Sequence, residues 1–421
     1  MNPFPRGTAT IFIGLLATGV LTYVYLGIAS RSLSEPAYSA FAVVWGITFI
    51  IGPGLFQPLE QAIGHATAER DTRGDGSLPI VKRASALGFG GLVAITVLAI
   101  VAWPLGLDSL LSDEPELLAV LLACFVGFMV LSVVRGTLGG HRQFPTYSAT
   151  LGAEGGTRLA GGIVLALLAG TGAAAFGFIM ALSFVVAAAV GALGGRRLLS
   201  DGTAAHWNDL SPAVGLLLVM SLSEAFLLNI GPAAVASLSN DDVAAGQFLS
   251  ALVIARLPLF AFQAVKVSLL PAVATFAAIG DMERVRATVS RLLKFTAALG
   301  GIAVIVSAAA GPFFVKLLFA DDVSHLDVTL LAAANAVAML AIALSVTLIG
   351  INRSKHAAIS WTVGVLAFFA ALAIPLEPVL RVEFAMLTAF VVVLVAMSLF
   401  LRSLLTPHHT AADPDSMVGA R

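Results

Sequence analysis

The chain is poor in charge and nearly devoid of cysteine. Only 11% of its 421 residues are Asp, Glu, Lys or Arg, against about 25% in soluble domains. A soluble globular class is therefore excluded. The net charge of −1 excludes a broad nucleic-acid surface. The single cysteine, Cys124, rules out a disulfide framework and a thiolate metal site; it reads as a small apolar packing residue. The H-E-x-x-H, G-x-S-x-G and G-x-x-x-x-G-K patterns are all absent, so no zinc protease, serine hydrolase or phosphate-loop chemistry is signalled. Gly139-Gly140 and Gly194-Gly195 follow no strand and read as turn or packing residues. No catalytic residue, metal site or cofactor is expected.

What the chain does have is long apolar runs, at 59% hydrophobic residues. Twelve spans are predicted, at 8–29, 37–59, 84–107, 117–138, 145–169, 173–195, 212–238, 243–277, 288–311, 326–350, 356–376 and 380–404. Each is near the roughly 20 residues that a membrane helix needs. The first run exceeds a signal-peptide core and reads as a retained span.

The loops between the spans sort by charge. One set carries Arg6, then Arg70, Arg73, Lys82 and Arg83, then Arg142, Arg196, Arg197, Arg284, Arg286, Arg291, Arg353, Lys355 and Arg402. The alternate set carries Glu35, then Asp108, Asp113, Glu114 and Glu116, then Asp241, Asp242, Asp321, Asp322, Asp327 and Glu377. Basic loops mark the cytoplasm, so both termini are expected there. The two loop sets are called the basic end and the acidic end below. Asp321, Asp322, His325 and Asp327 cluster on one acidic loop, where solvated carboxylates are a simpler reading than a cation site.

The chain divides near its middle. An N-terminal six-helix bundle over 1–199, a cytoplasmic linker over 200–211, a C-terminal six-helix bundle over 212–404 and a disordered tail over 405–421 are expected. Adding 206 to the first span gives 214–235, the seventh, and most later spans follow the same offset. Phe56-Gln57-Pro58-Leu59-Glu60 falls on Phe262-Gln263-Ala264-Val265-Lys266. Six spans per half implies parallel repeats around a central cavity.

Charges inside spans are costly and mark functional sites or internal pairs. Arg256, Gln263 and Lys266 share one side of the eighth span, beside Pro258 and Pro271. Two readings stay open: pairing with acids on other helices, or an anion site. Glu154 and Arg158 stand four apart in the fifth span, the order that suits an intrahelical ion pair. Glu224 lies alone in the seventh span, where it could pair with Arg256 or bind a coupling ion. Glu60 closes the second span and either reaches water or serves coupling.

Several stretches resemble the polysaccharide-biosynthesis, or oligosaccharide flippase, family of the multidrug, oligosaccharidyl-lipid and polysaccharide exporter superfamily. They are Gln57 to Ala62, Arg135 to Phe144, Tyr147 with Glu154, Arg158 and Leu159, Ala245 to Phe248 with Leu270-Pro271, and Gly311 to Phe319. The resemblance implies an all-α polytopic membrane protein that works by alternating access. It implies a polyprenyl-diphosphate-linked oligosaccharide as substrate, moved from the inner to the outer leaflet of a bacterial inner membrane. Arg256, Lys266, Gln263 and Arg158 would hold the diphosphate. Glu60, Glu154 and Glu224 would be the candidates for proton or sodium coupling. Membrane lipids and neighbouring glycan polymerases or glycosyltransferases would be its partners. Few buried polar residues are flanked by aromatics in sequence, so no sugar-stacking surface is expected. Three rival readings are a multidrug antiporter on the same fold, a membrane-embedded glycosyltransferase or polymerase, and a non-transporting scaffold. Two buried cations argue against the first, and acidic-end loops of about ten residues or fewer argue against the second.

Overall fold

A computed structural model of the protein describes residues 8–168, 170–196, 198–206, 214–259 and 281–405, together with Phe262, Phe276 and Ile279. The described residues are all-helical. In chain order the helices are α1 (Thr8–Ser32), α2 (Glu35–Ile51), α3 (Gln57–Thr72), α4 (Leu78–Ala102), α5 (Leu107–Leu110), α6 (Pro115–Gly140), α7 (Phe144–Leu168) and α8 (Ala173–Gly195). They continue with α9 (Val214–Asn229), α10 (Gly231–Leu238), α11 (Ala244–Ala255), α12 (Met282–Phe319), α13 (His325–Gly350), α14 (Ser354–Ala371) and α15 (Pro378–Leu405). Among the described residues nine helices are long and apolar enough to cross a membrane, or ten when the bent pair α9–α10 is taken as one span. The predicted eighth span begins as α11 and is described to residue 259; of the rest, only Phe262 and Phe276 are among the described residues.

Local chemistry sets the helix boundaries. Pro115 opens α6, a position where its missing N–H costs nothing. Ser324 caps α13 in a reciprocal box with Asp327. Asp281 caps α12 by accepting from the Arg284 N–H. At 38 residues α12 is far longer than the predicted 288–311. Its rise of about 57 Å outreaches a hydrocarbon core of roughly 30 Å. Arg284, Arg286 and Arg291 occupy its overhang at the basic end.

The two halves pack by one plan. In the first, α4 packs on α6, α6 on α8, α7 on α8 and α1 on α7. In the second, α12 packs on α13, α13 on α15, α14 on α15 and α9 on α14. Counted as spans, each of these four first-half pairs recurs six spans later. Outward-facing apolar side chains such as Leu98, Ile100, Ile302, Ile305 and Phe313 are exposed, which suits lipid rather than water.

The loops gather by charge as the sequence sorts them. At the acidic end the halves are sewn together. Ser30 donates to the Phe319 carbonyl, and Arg31 donates to the carbonyls of Leu317 and Leu318. These carbonyls close α12, where a cation is favoured. Ser39 accepts from the Gly246 N–H, and Ser250 donates to Asp321 while its oxygen bonds the Tyr38 hydroxyl. A Cβ on Gly246 would come within 2.8 Å of the Tyr38 ring, so glycine permits the close approach of α11 to α2. At the basic end, residues 198–206 are stitched to the α3–α4 loop. The Leu78 N–H donates to the Ser200 carbonyl, Arg70 donates to the Thr203 carbonyl, and Thr203 donates to Asp75. This part of the expected linker is folded against the first half.

Candidate functional site

The seam between the halves is built around two interruptions. In the first half, α2 runs into α3 through a π-turn at Gly52–Phe56 that contains Pro53. Proline removes a backbone donor, and a wide turn accommodates the loss. In the second half, α9 and α10 meet at a 57° bend, with Pro232 just beyond it. Asn229 fills the break. Its amide donates to Ala225 O at 2.9 Å and across the seam to Phe49 O at 3.1 Å. A Cβ on Gly46 would lie 2.8 Å from Asn229 O, so α2 and α9 touch backbone to backbone here.

Arg256 caps α11 and reaches this junction. Its Nη1 donates to Asn229 Oδ1 at 3.0 Å. Tyr23 of α1 lies within electrostatic range. The guanidinium therefore sits where α1 and α2 of one half face α9 and α11 of the other. Two helix C-termini, those of α9 and α11, favour the cation there. Its Nε and Nη2 are enclosed and have no hydrogen-bond partner among the described residues. Such donors are costly to bury unmade. The group that holds Arg256 is an amide, and Glu224 stands one turn and more earlier on the same α9. Gln263 and Lys266 lie outside the described residues.

The remaining candidates converge in the first half. Glu60 Oε1 accepts from the Tyr147 hydroxyl at 2.7 Å. Tyr147 lies under the Arg135 guanidinium, 5.7 Å from ring centroid to Cζ. Arg135 pairs with Glu154 at 2.8 Å, and Glu154 pairs with Arg158 at 2.7 Å. Arg158 also donates to Ser183 Oγ at 3.1 Å and Thr22 Oγ1 at 3.2 Å. It is 2% exposed, with every guanidinium nitrogen bonded. Arg158 thus braces α1, α7 and α8.

That brace is wrapped in aromatic rings. The Arg158 Cζ lies 4.9 Å from the Phe184 centroid, 5.7 Å from Trp45 and 5.8 Å from Phe49. The sequence suggested no such surface, because Trp45 and Phe49 lie more than a hundred residues before Arg158. Phe49 joins the two clusters: its ring faces Arg158, and its carbonyl accepts from the amide that holds Arg256. Sequence reasoning also passed over Asn229 as a ligand and over Glu383, which is fully buried in α15. An acid in the second turn of an apolar helix was the available signal. Between the halves at the acidic end lies a further cavity of about 360 Å³, whose lining includes Asp113, Asp241 and Asp242.

The architecture is that of solved multidrug and related exporters. The chain aligns over 94% of its length, and over 98% of the other chain, with an inward-facing multidrug resistance MATE family transporter of the MOP superfamily (TM-score 0.72, 15% identity). A MOP superfamily transporter from Pyrococcus furiosus Vc1, described as having a binding pocket of reverse polarity, is similar over 96% of both chains (TM-score 0.63, 15% identity). A MATE structure in a bent conformation gives a TM-score of 0.65 at 14% identity over 95% of this chain and 98% of that one. No protein-family model matches, and no characterised protein matches by sequence. The fold is accordingly that of a membrane transporter of two six-helix bundles.

Proposed function

We propose that the chain is a flippase that carries an amphiphile with an anionic headgroup, of the polyprenyl-diphosphate-linked oligosaccharide class. The carrying observation is Arg256: a guanidinium at the seam of the halves with two enclosed nitrogens that have no partner among the described residues. A diphosphate is the kind of ligand that accepts from such a fork in two places. Gln263 and Lys266, on the same predicted span, would extend the site. The halves 1–199 and 212–404 would rock about the seam, with the lipid tail left in the bilayer. The acidic cavity with Asp113, Asp241 and Asp242 would repel the anion once that end opens, which favours release there. With basic loops in the cytoplasm, this direction is inner to outer leaflet. Neighbouring glycosyltransferases or polymerases would supply and consume the substrate.

A cation-coupled multidrug antiporter is the second reading, and the solved neighbours favour it by what they are described as carrying. It requires a pocket that welcomes organic cations, and the buried Arg256 guanidinium opposes that. The test is flipping of a fluorescent lipid-linked sugar in vesicles, alongside efflux of a cationic dye. Arg256→Ala should fold, reach the membrane and flip about ten- to a hundredfold less, the value of one charge-assisted contact of about 1.5–3 kcal/mol. Arg256→Lys should recover only part of the loss. Undiminished flipping by Arg256→Ala, or dye efflux that needs Arg256 intact with no lipid flipping, defeats the proposal.

A further inference from the structure

The acidic end holds a second buried ionisable group, separate from the seam. Glu383 is 0% exposed, on the second turn of α15. Neither carboxyl oxygen has a hydrogen-bond partner among the described residues. Glu383 lines a small cavity of about 90 Å³ with Gln247 and Phe248 of α11, Asp322 and Ser324 of the α12–α13 loop, and Asp327 of α13. Such a space has room for water. It runs from the buried acid to Asp322, whose side chain is 78% exposed.

Among the described residues no cation pairs with Glu383. Asp327 of α13 is an acid, and its Oδ2 already accepts from the Ser324 N–H. Asp322 is paired with Lys316 at 2.7 Å. His325 bonds the Ala308 carbonyl. On α15 itself, the Arg381 Nε donates to the Leu376 carbonyl. The α10 helix carries no titratable group, and α11 carries none before Arg256. The titratable groups of α14 are Lys355 and His356, and His356 stacks on Phe400 at the far end of α15. The α9 helix, which also touches α15, carries Glu224 near its middle. Among the described residues no three metal-ligating side chains cluster, so a bare proton is the ligand this geometry suits. A buried carboxylate with no donor or counter-charge beside it is disfavoured, and the neutral acid is not.

We propose that Glu383 is a proton-binding site that controls closure of the acidic end. The cavity wall explains how. The α11 residues that face Glu383 sit on the helix whose Gly246 and Ser250 join α2 of the other half. With Glu383 neutral, the cavity is compact and α11 stays against α2. Loss of the proton through the cavity to Asp322 leaves a carboxylate that must be hydrated, and water entering behind α11 loosens the joint. The proposal rests on the transport reading above, since only a transporter needs that joint to open.

The experiment reads the joint without any substrate. Spin labels at Ser34 and Asp242, placed on the full chain with Cys124→Ala and held in lipid nanodiscs, report the distance across the acidic end. In the parent the distance should lengthen as pH rises from 5 to 9. Glu383→Gln, which keeps the shape of the neutral acid, should lose that lengthening and remain closed throughout. Glu383→Asp should keep it with a displaced midpoint. A Glu383→Gln protein that opens with pH as the parent does overturns the proposal. Should Glu383→Gln not fold, infrared spectra of the unsubstituted protein with isotope-labelled glutamate decide: a protonated glutamic-acid band should persist at pH 7, and its absence overturns the proposal. Loss of lipid flipping in the parent, with the distance response intact, would count against the substrate reading and leave the Glu383 switch standing.

Discussion

The two halves share a packing plan and treat buried charge in opposite ways. In the first half every buried ionic group is answered. Glu154 sits between Arg135 and Arg158, Glu60 is held by Tyr147, and Arg158 spends all its nitrogens. In the second half Arg256 meets one amide and Glu383 meets no donor among the described residues. A satisfied network is rigid and has little left to offer a ligand. An unsatisfied donor or acid retains affinity for a phosphate, a proton or water. On the reading proposed above, the contrast gives the first half the role of frame and the second half that of binding and switching.

The largest effect should come from breaking the frame. Glu154→Leu strands two guanidinium groups away from water. Removing one partner of a buried ionic cluster costs about 3–5 kcal/mol, so the thermal midpoint in detergent should collapse and membrane yield with it. Adding Arg135→Met and Arg158→Met removes the stranded charges and should restore most of the midpoint. If the triple variant folds and still flips the labelled lipid, none of the three side chains contacts substrate. A single Glu154→Leu variant of unchanged midpoint would break the comparison at its root.

Arg256→Ala should give the reverse profile. Asn229, its hydrogen-bond partner among the described residues, keeps its bonds to Ala225 and Phe49. Two buried, unmade donors are removed with it. The thermal midpoint should therefore hold to within about 1 kcal/mol, in the range of ordinary substitutions, while flipping falls. A midpoint that drops as far as that of Glu154→Leu would show Arg256 to be frame as well.

The helices, the spans and the sorting of loops by charge were legible in the sequence because each depends on local composition. Glu154–Arg158 was legible for the same reason, at one helical turn. The rest depended on partners far along the chain. Arg135 and Tyr147 stood in a recognised stretch, yet nothing local says that one reaches Glu154 and the other Glu60, 87 positions away. Arg256 was singled out, but its holder lies beyond the α9–α10 bend, whose direction is a packing outcome. Glu383 fell just inside the predicted edge of the last span, where an acid reads as interfacial. The helix begins at Pro378 instead, and its second turn faces α11 and α13. The long π-turned α2–α3 helix was read as ending at 59 because Glu60 looked like a boundary; Tyr147 lets that acid stay inside.

The smallest expected effects come from two loop aspartates, and they sharpen the comparison by their sign. Asp75, in the first half, has its carboxyl held below the usual range, chiefly by the hydroxyl and N–H of Thr203, and by Arg70 and the Gly76 N–H. Asp321, in the second half, has its carboxyl pushed up, chiefly by burial and further by Glu35 and Asp322, against the hydrogen bond from Ser250. An unfolded aspartate titrates near about 3.9. For Asp75 the folded state binds its proton more weakly than the unfolded chain. Its contribution is full above about pH 4 and is lost as pH falls through the folded value. For Asp321 the folded state binds the proton more tightly. Its contribution is full below about pH 4 and is lost as pH rises through the folded value. At pH 7, then, Asp75→Asn should lower the thermal midpoint by a degree or so, and Asp321→Asn should raise it. Well below pH 4 the Asp75→Asn difference should vanish, and the gain from Asp321→Asn should vanish with it. Midpoints of both variants across pH 3 to 8 check this. If the two shifts share one sign at pH 7, the division between an answered half and an unanswered half does not extend to the loops.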